Sequence, residues 1–488
     1  MKGTSMPTRK KVCIHTVLQP FELLEEAASH APNAIGLVGV RGHHTFLQMW
    51  KMSSLLSKKL HDSGVTPRQV VSTSLPPDLD WLANLAVFHE AAIPVSLWGV
   101  GSVSNLDVSW FISTKNHESV PRKNSIIIDD TLMDSESAGQ INHPRTVFAR
   151  PDKPMRYVMT SGTTGTPKAV TFTGDNIQAR LNQLGSYWTD GRPELNFMGL
   201  STTGGFFTAL ACLKHRNPYF AEVAVSRSAL ERARDYGINV LAGSPAQIGQ
   251  AVGLIREHKL LLPSLEEVRV AGSMPSERLV ASIHEDLGVS VKSVYGSTEG
   301  GGVAVRMLHP GDKTADVGSI IAGIELEIQG QQEVSGEIRY RGPGVSPGYL
   351  GGSSADSSFV DGWFYPGDRG QFLDNGHLVL EGRIDDLLNV GGTKINPQTL
   401  EELAKEFLGV VDAAVCLVER VPGIEEVAIM VVGQNGLDMR SLDKEMRAKF
   451  PTGYPTVFTT SKAIPRNRMG KVLRGDVRDQ IMKDLNLY

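Results

Sequence analysis

The stretch Thr160-Ser161-Gly162-Thr163-Thr164-Gly165-Thr166-Pro167-Lys168 places five hydroxyls, two glycines and a lysine within nine residues, directly after a strand predicted at Met155–Thr160. That composition suits a polyphosphate. Glycines bare the backbone N–H groups, hydroxyls donate to phosphate oxygens, and Lys168 adds a positive charge. The loop is not the GxxxxGK[ST] pattern, because Pro167 precedes the lysine and Ala169 follows it. A polar hairpin turn would use the same residue types, but not at this density with Pro-Lys. A second turn, Tyr295-Gly296-Ser297-Thr298-Glu299, ends a strand predicted at Val289–Val294. It brings a carboxylate, the hard oxygen donor that Mg²⁺ takes together with phosphate oxygens and water. Three further segments carry charge on turns. Trp363-Phe364-Tyr365-Pro366-Gly367-Asp368 ends in a carboxylate. Gly382-Arg383-Ile384-Asp385-Asp386 runs on to Asn389-Val390-Gly391-Gly392-Thr393-Lys394-Ile395. Pro465-Arg466-Asn467-Arg468-Met469-Gly470-Lys471-Val472 sets a flexible glycine beside a lysine just before the last helix. Taken singly, each has a plainer reading: a β-turn, a Gly-Gly turn that needs no ligand, or a solvated basic turn with Arg466, Arg468 and Arg474.

Taken in order, these motifs resemble those of the adenylate-forming superfamily of acyl- and aryl-CoA ligases, peptide-synthetase adenylation domains and luciferases. The likeness runs over roughly 155–475 and more loosely over 46–97, and is greatest to acyl-CoA synthetases. It implies that Thr160, Ser161, Gly162, Thr163, Thr164, Gly165 and Lys168 hold the phosphates of ATP. Within the motif Tyr295, Gly296, Ser297, Thr298 and Glu299, the aromatic ring would stack near adenine, Thr298 would meet the α-phosphate and Glu299 would hold Mg²⁺. Ala271, Gly272 and Ser273 would form part of the adenine wall, and Asp368 and Arg383 would bind the ribose. Asp385 would be the hinge, Gly391 and Gly392 would approach the pantetheine thiol of coenzyme A, and Lys471 would enter the active site during adenylation. Two departures from the family pattern stand out. Pro366 replaces the usual Thr before the Gly-Asp pair, and Leu200-Ser201-Thr202-Thr203-Gly204-Gly205-Phe206-Phe207, where relatives carry an aromatic or His-rich segment, holds no His. Phe206 and Phe207 read as core. The Asp that amino-acid-activating relatives use for the α-ammonium is also missing, which lowers α-amino acids as substrates.

The resemblance implies ATP-dependent conversion of a small-molecule carboxylic acid to an acyl-adenylate with release of pyrophosphate, then thioester formation with coenzyme A and release of AMP. ATP, Mg²⁺ and coenzyme A are the implied cofactors. A stand-alone adenylating enzyme that loads the phosphopantetheine of a carrier protein is the alternative within the same chemistry. A non-catalytic nucleotide-binding relative is the alternative outside it, and the joint presence of Lys168, Glu299, Asp368, Arg383 and Lys471 argues against it.

Positioning these residues requires a regular scaffold. Helices are predicted at Phe21–Ala28, Phe46–Leu60 and Asp80–Ala91, with strands at Val70–Leu75 and Ile93–Leu97, a βαβ rhythm. Loops are expected at Gly99–Asn105 and His117–Ser125. From 155 to 330 strands alternate with helices: Ala169–Thr173 as a hairpin partner, a helix capped by Asp175 and running to about Gly185, a strand Asn239–Ala242, a helix Pro245–His258, a strand Val268–Ala271 and a helix Ser276–Leu287. Such alternation predicts a largely parallel sheet with ligands at the carboxyl ends of its strands. Short β runs at Ile324–Ile328, Gly336–Arg341, Gly370–Leu373 and His377–Glu381 suggest a β subdomain. Beyond 383 a small α+β pattern begins, with helices Pro397–Leu408, Met439–Phe450 and Asp476–Leu485 and strands Ala413–Val418, Val427–Val432 and Thr456–Thr460. The expected fold is α/β, with a large domain over 1–382, mostly parallel sheets plus a β subdomain, and a small mobile C-terminal α+β domain over 383–488.

Composition agrees with a globular enzyme. The 488 residues are 41% hydrophobic and 21% charged, which excludes a mostly disordered chain. Lys+Arg number 49 against 53 Asp+Glu, so no basic excess exists to neutralise nucleic-acid phosphates. Cys13, Cys212 and Cys416 are far apart and odd in number, which excludes a complete disulfide framework and suits reduced thiols. No apolar run reaches the ~18 residues of a membrane span, and Pro20, Glu22, Glu25 and Glu26 interrupt any signal-peptide core. A cytoplasmic location is expected.

Overall fold

The computed structural model describes residues 19–97, 106–114, 124–128, 150–160, 168–329, 335–352, 358–384, 388–390, 393–421, 424–434, 436–449, 457–466, 470 and 472–485. The architecture is α/β. Near the N-terminus, four parallel strands run in the order Ile93–Ser96, Val70–Ser74, Trp110–Ser113, Ser125–Ile127. The helix Pro77–His89 covers this sheet and is buried along almost its whole length. It begins three residues before the expected Asp80 because Pro77 suits the first helical turn. Ser125, expected in a loop, opens the fourth strand, while Gly99–Asn105 lies outside the described residues.

A second, twelve-stranded sheet forms the platform for the site. Four of its strands are parallel, in the order Glu194–Asn196, Val240–Gly243, Glu267–Ala271, Ser290–Ser297. Val240–Gly243 is buried on every residue, as a parallel strand covered on both faces must be. The crossover helices Pro245–His258 and Glu277–Leu287 are capped by Ser244 and Ser276. After Ser290–Ser297 the pairing turns antiparallel through Gly301–Leu308, Asp316–Ile320, Leu378–Arg383, Asp368–Phe372 and Gly336–Arg341. The β runs after 317 therefore continue the parallel sheet while keeping a core cluster of their own around Ile338, Tyr340, Phe364 and Leu378.

Two local expectations change. The helix Gly174–Tyr187 is capped by Thr173, not Asp175, since the Thr173 hydroxyl accepts from the Asn176 N–H and the Asn176 side chain bonds back in a capping box. Asp175 sits inside the first turn, where its charge suits the helix dipole. The helix Thr203–His215, for which no element was predicted, carries the end of the 200–207 segment. It is buried on nearly every face, so its sequence shows no amphipathic period.

Beyond residue 388 two core clusters are built wholly from C-terminal residues, on either side of a sheet Val410–Val421, Ile424–Gly433, Val457–Thr460. The Arg278 guanidinium, on the Glu277–Leu287 helix, donates to the Lys405 carbonyl of this unit at 2.6 Å. Gly470 presses against Ala246, and a Cβ there would lie 2.5 Å from the alanine methyl. No described helix is long and apolar enough to cross a membrane.

Candidate active site

At the carboxyl ends of the strands Glu267–Ala271 and Ser290–Ser297 lies a cavity of about 610 Å³. Thr160, Lys168, Ala271, Gly272, Gly296, Ser297, Thr298, Glu299, Asp368 and Arg383 all line it. Their sources are dispersed: the antiparallel hairpin Pro154–Thr160 and Lys168–Thr173, two parallel strand ends, and the pair Asp368–Phe372 and Leu378–Arg383. Ser273 is exposed next to Gly272, and Tyr295 stands behind the wall. Ser161, Gly162, Thr163, Thr164, Gly165, Asp385, Gly391, Gly392 and Lys471 lie outside the described residues.

The Asp368 carboxylate is organised from two sides. The Tyr295 hydroxyl donates to its Oδ2 at 2.6 Å, and Arg383 Nη1 stands 3.7 Å from Oδ1. Burial, then the neighbouring carboxylate, push the Tyr295 phenol well above its ordinary range, so it keeps its proton and remains a donor. Pairing of Asp368 directly opposite Arg383 in the antiparallel ladder fixes both side chains. Ser297 is held in turn, with its Oγ accepting from the Gly300 N–H at 2.9 Å and lying 3.2 Å from the Tyr340 hydroxyl.

Two residues that sequence reasoning missed complete this half. Tyr349 donates its hydroxyl to Glu299 Oε1 at 2.9 Å, and the Lys168 ammonium stands 4.6 Å from the centre of its ring. Arg180, on the helix Gly174–Tyr187, sends its guanidinium to the Glu299, Thr298 and Gly344 carbonyls. Burial lowers Arg180 to about 10, which leaves it charged at neutral pH. A signal for Arg180 was present. Ile177, Leu181 and Leu184 define the buried face of that helix, and an arginine at 180 falls on the same face.

The far half of the cavity is apolar. Leu184, Tyr187, Trp188, Met198, Phe207 and Val294 line it, with Ser201, Thr202, Thr203 and Gly204 at its edge. Gly302 is required there, since a Cβ would come within 2.5 Å of the Tyr187 ring. Phe206 is core, as expected, but Phe207 is both buried and part of the cavity wall. Gly205 lets the helix Thr203–His215 start close to the preceding loop, where a Cβ would be 1.9 Å from the Met198 carbonyl oxygen.

That loop is anchored from beneath. Arg156 is fully buried and donates to the Leu200 carbonyl at 2.6 Å, to Asn84 and to Ser96, while its guanidinium stands 4.1 Å from the centre of the Phe206 ring. Asp80 completes the network by accepting from Thr73 and Asn84. Burial raises its carboxyl to about 6.

The cavity thus has a polar, charged half and an apolar half. Among the described residues, no cluster of three or more His, Cys, Asp or Glu side chains is placed to hold a metal by itself. A single carboxylate such as Glu299 fits a Mg²⁺ ion held largely by phosphate oxygens and water.

A family model described as AMP-binding enzyme matches residues 105–350. The chain is 25% identical to a 4-chlorobenzoate–CoA ligase of Arthrobacter sp, in an alignment covering 94% of this chain and 95% of that protein. It is 28% identical to an indoleacetate–CoA ligase of Aromatoleum aromaticum, over 70% of each chain. Among solved structures, the o-succinylbenzoate coenzyme A synthetase of Bacillus subtilis in complex with ATP and magnesium ion superimposes with a TM-score of 0.78 at 21% identity, covering 94% of this chain and 99% of that one.

Proposed function

The chain belongs to the AMP-binding enzyme family, and from that premise we propose that it activates a carboxylic acid with ATP and passes the acyl group to coenzyme A. The observation that carries this reading is the convergence of Thr160, Lys168, Thr298, Glu299, Asp368 and Arg383 on one cavity whose other half is apolar.

In the first step a carboxylate oxygen of the acid attacks the α-phosphorus of ATP. The bond from that phosphorus to the bridging oxygen breaks, and pyrophosphate leaves. Both reactants are anionic, so the protein contributes position and positive charge. Asp368 and Arg383 fix the ribose, while Ala271, Gly272, Ser273 and the Tyr295–Ser297 turn enclose the base. Thr160 to Gly165 and Lys168 bind the departing phosphates. Glu299 would hold Mg²⁺, which supplies charge neutralisation there. Thr298 and Lys471 meet the charge that builds on the α-phosphate. In the second step the small domain, residues 383–488, turns about Asp385 and carries Lys471 away. Gly391 and Gly392 then border a channel for the coenzyme A thiol. The thiolate attacks the acyl carbon, the bond to the AMP oxygen breaks, and AMP leaves.

The acid has an apolar, flat body. Tyr187, Trp188 and Phe207 supply ring faces, and the guanidinium of Arg180, the charged group on that side, is already engaged by three carbonyls. Similarity to proteins named for chlorobenzoate and indoleacetate supports an aryl acid. A cytoplasmic location, with its supply of ATP and coenzyme A, belongs to the same reading.

The test is mass spectrometry of reactions holding ATP, Mg²⁺ and a panel of aryl and fatty acids, with coenzyme A or a phosphopantetheinylated carrier protein as acceptor. Aryl-CoA formation is expected. Acyl transfer to the carrier protein alone would replace coenzyme A in this reading. Failure of both acceptors with every acid, in protein that binds ATP, would leave a nucleotide-binding relative without this activity.

A further inference from the structure

Arg180 is 1% exposed, yet it lies on the cavity wall where the apolar half meets the polar half. Burying a cation costs several kcal/mol of lost hydration unless its surroundings compensate. Among the described residues no carboxylate approaches Arg180 within ion-pair distance. Compensation comes instead from three backbone carbonyls: Nε donates to Gly344 at 2.6 Å, Nη1 to Thr298 at 3.0 Å and Nη2 to Glu299 at 2.6 Å. The planar group stands over two rings, 4.6 Å from the centre of Phe172 and 5.7 Å from that of Phe207. An uncharged side chain would be the cheaper choice if the fold merely needed filling here.

The three carbonyls explain the choice. Two belong to Thr298 and Glu299, the residues assigned above to the α-phosphate and to Mg²⁺. The third belongs to Gly344, in the turn leading to Ser346, whose N–H donates to the same Glu299 carbonyl at 2.8 Å. One rigid fork therefore clamps the Thr298–Glu299 backbone to the helix Gly174–Tyr187, which starts at the end of the phosphate-loop hairpin. Tyr349 steadies the same glutamate at its carboxylate. Close packing leaves little slack: a Cβ on Gly301 would meet Arg180 Nε at 3.2 Å and one on Gly344 would meet its Cγ at 3.0 Å.

We propose that Arg180 is a positioning residue for the metal–phosphate end of the site: its guanidinium fixes the backbone that aims Glu299 and Thr298. This inference rests on the functional reading given above. It assigns Arg180 no contact with substrate and no proton transfer.

The experiment compares wild type with Arg180→Lys and Arg180→Gln. Binding of ATP is titrated calorimetrically with Mg²⁺ and again with EDTA, and steady-state rates are measured against Mg²⁺ and against the acid. Residues that orient a metal ligand typically alter metal affinity by about 10–100-fold when removed. Arg180→Gln is therefore expected to raise the Mg²⁺ concentration at half-saturation by that factor and to erase most of the Mg²⁺-dependent gain in ATP binding. The KM for the acid should stay within about threefold, the sub-kcal range of an untouched contact. Arg180→Lys keeps the charge but not the fork, and should fall between the two. Thermal melting reports folding, and if Arg180→Gln does not fold, Arg180→Lys alone decides. A folded variant with wild-type Mg²⁺ dependence, or an equal loss of acid and Mg²⁺ affinity, overturns the proposal. Wild type that fails to bind Mg²⁺–ATP overturns the functional reading instead.

Discussion

Asp368 sits between a phenol that donates to it and a guanidinium that faces it, an arrangement that leaves the carboxylate aimed at the cavity. Removing the Tyr295 hydroxyl should loosen that aim without removing the charge. Hydrogen bonds to charged groups contribute about 1.5–3 kcal/mol, so Tyr295→Phe should raise the KM for ATP by roughly ten- to a hundredfold. The acid KM should hardly move, and steady-state kinetics with each substrate varied separately checks both. Residues of this kind divide into two sets by how visible they are in the chain. Lys168, Glu299, Asp368 and Arg383 sit in short segments of unusual composition, three at strand ends and one in a turn, and could be read from the sequence. Arg180 and Tyr349 could not, because each reaches the site only through long-range packing. Arg180 meets residues more than one hundred positions away, and Tyr349 meets Glu299 across a separation of 50. A lone arginine on an apolar helix face was the trace it left.

Among the elements, the helix Thr203–His215 and the loop before it shape the apolar half of the cavity, where the proposed function seats the acid. Gly205→Ala would drive a methyl into the Met198 carbonyl, so the helix start must shift. Overpacking typically costs about 1–3 kcal/mol, and a lower melting temperature with weaker binding of aryl acids is expected. Calorimetric melting and acid KM values report the two effects. The Arg156 network beneath carries a pH signature. Burial raises the Asp80 carboxyl from its ordinary 3.8 to about 6, so the folded state holds this proton more tightly than the unfolded chain. Its stabilising contribution is full below the unfolded value and is lost as pH rises through about 6. Asp80→Asn should flatten the stability curve across that window, measured as urea midpoints at several pH values. Elements with a clear period or a Pro, Ser or Gly boundary were legible, as Pro245–His258 illustrates. Thr203–His215 was not, because burial on all sides erases the amphipathic pattern. The Asp175 cap failed for a simpler reason: Thr173 stood two residues earlier with Asn176 in capping-box position.

For the whole molecule, the proposed function has one cavity serve two reactions, with the exchange made by motion of residues 383–488. Arg278 to Lys405 and Gly470 against Ala246 are contacts between the two parts that such a motion would break. The α/β architecture was readable from the order of elements. The union of parallel and antiparallel strands in one twelve-stranded sheet was not, because strand neighbours are set by pairing across the chain rather than by local pattern. If Lys471 acts only in adenylation, Lys471→Ala should abolish acid-dependent ATP–pyrophosphate exchange while largely sparing thioester formation from a supplied acyl-adenylate. Equal loss of both half-reactions would remove that assignment.

Attack of a carboxylate oxygen on the α-phosphorus can be traced by following that oxygen. An aryl acid carrying heavy oxygen in its carboxylate is turned over with ATP, Mg²⁺ and coenzyme A, and the products are weighed by mass spectrometry. Attack at the α-phosphorus yields AMP bearing one labelled oxygen, unlabelled pyrophosphate and an aryl-CoA thioester. Label appearing in orthophosphate with ADP as the partner product would contradict it.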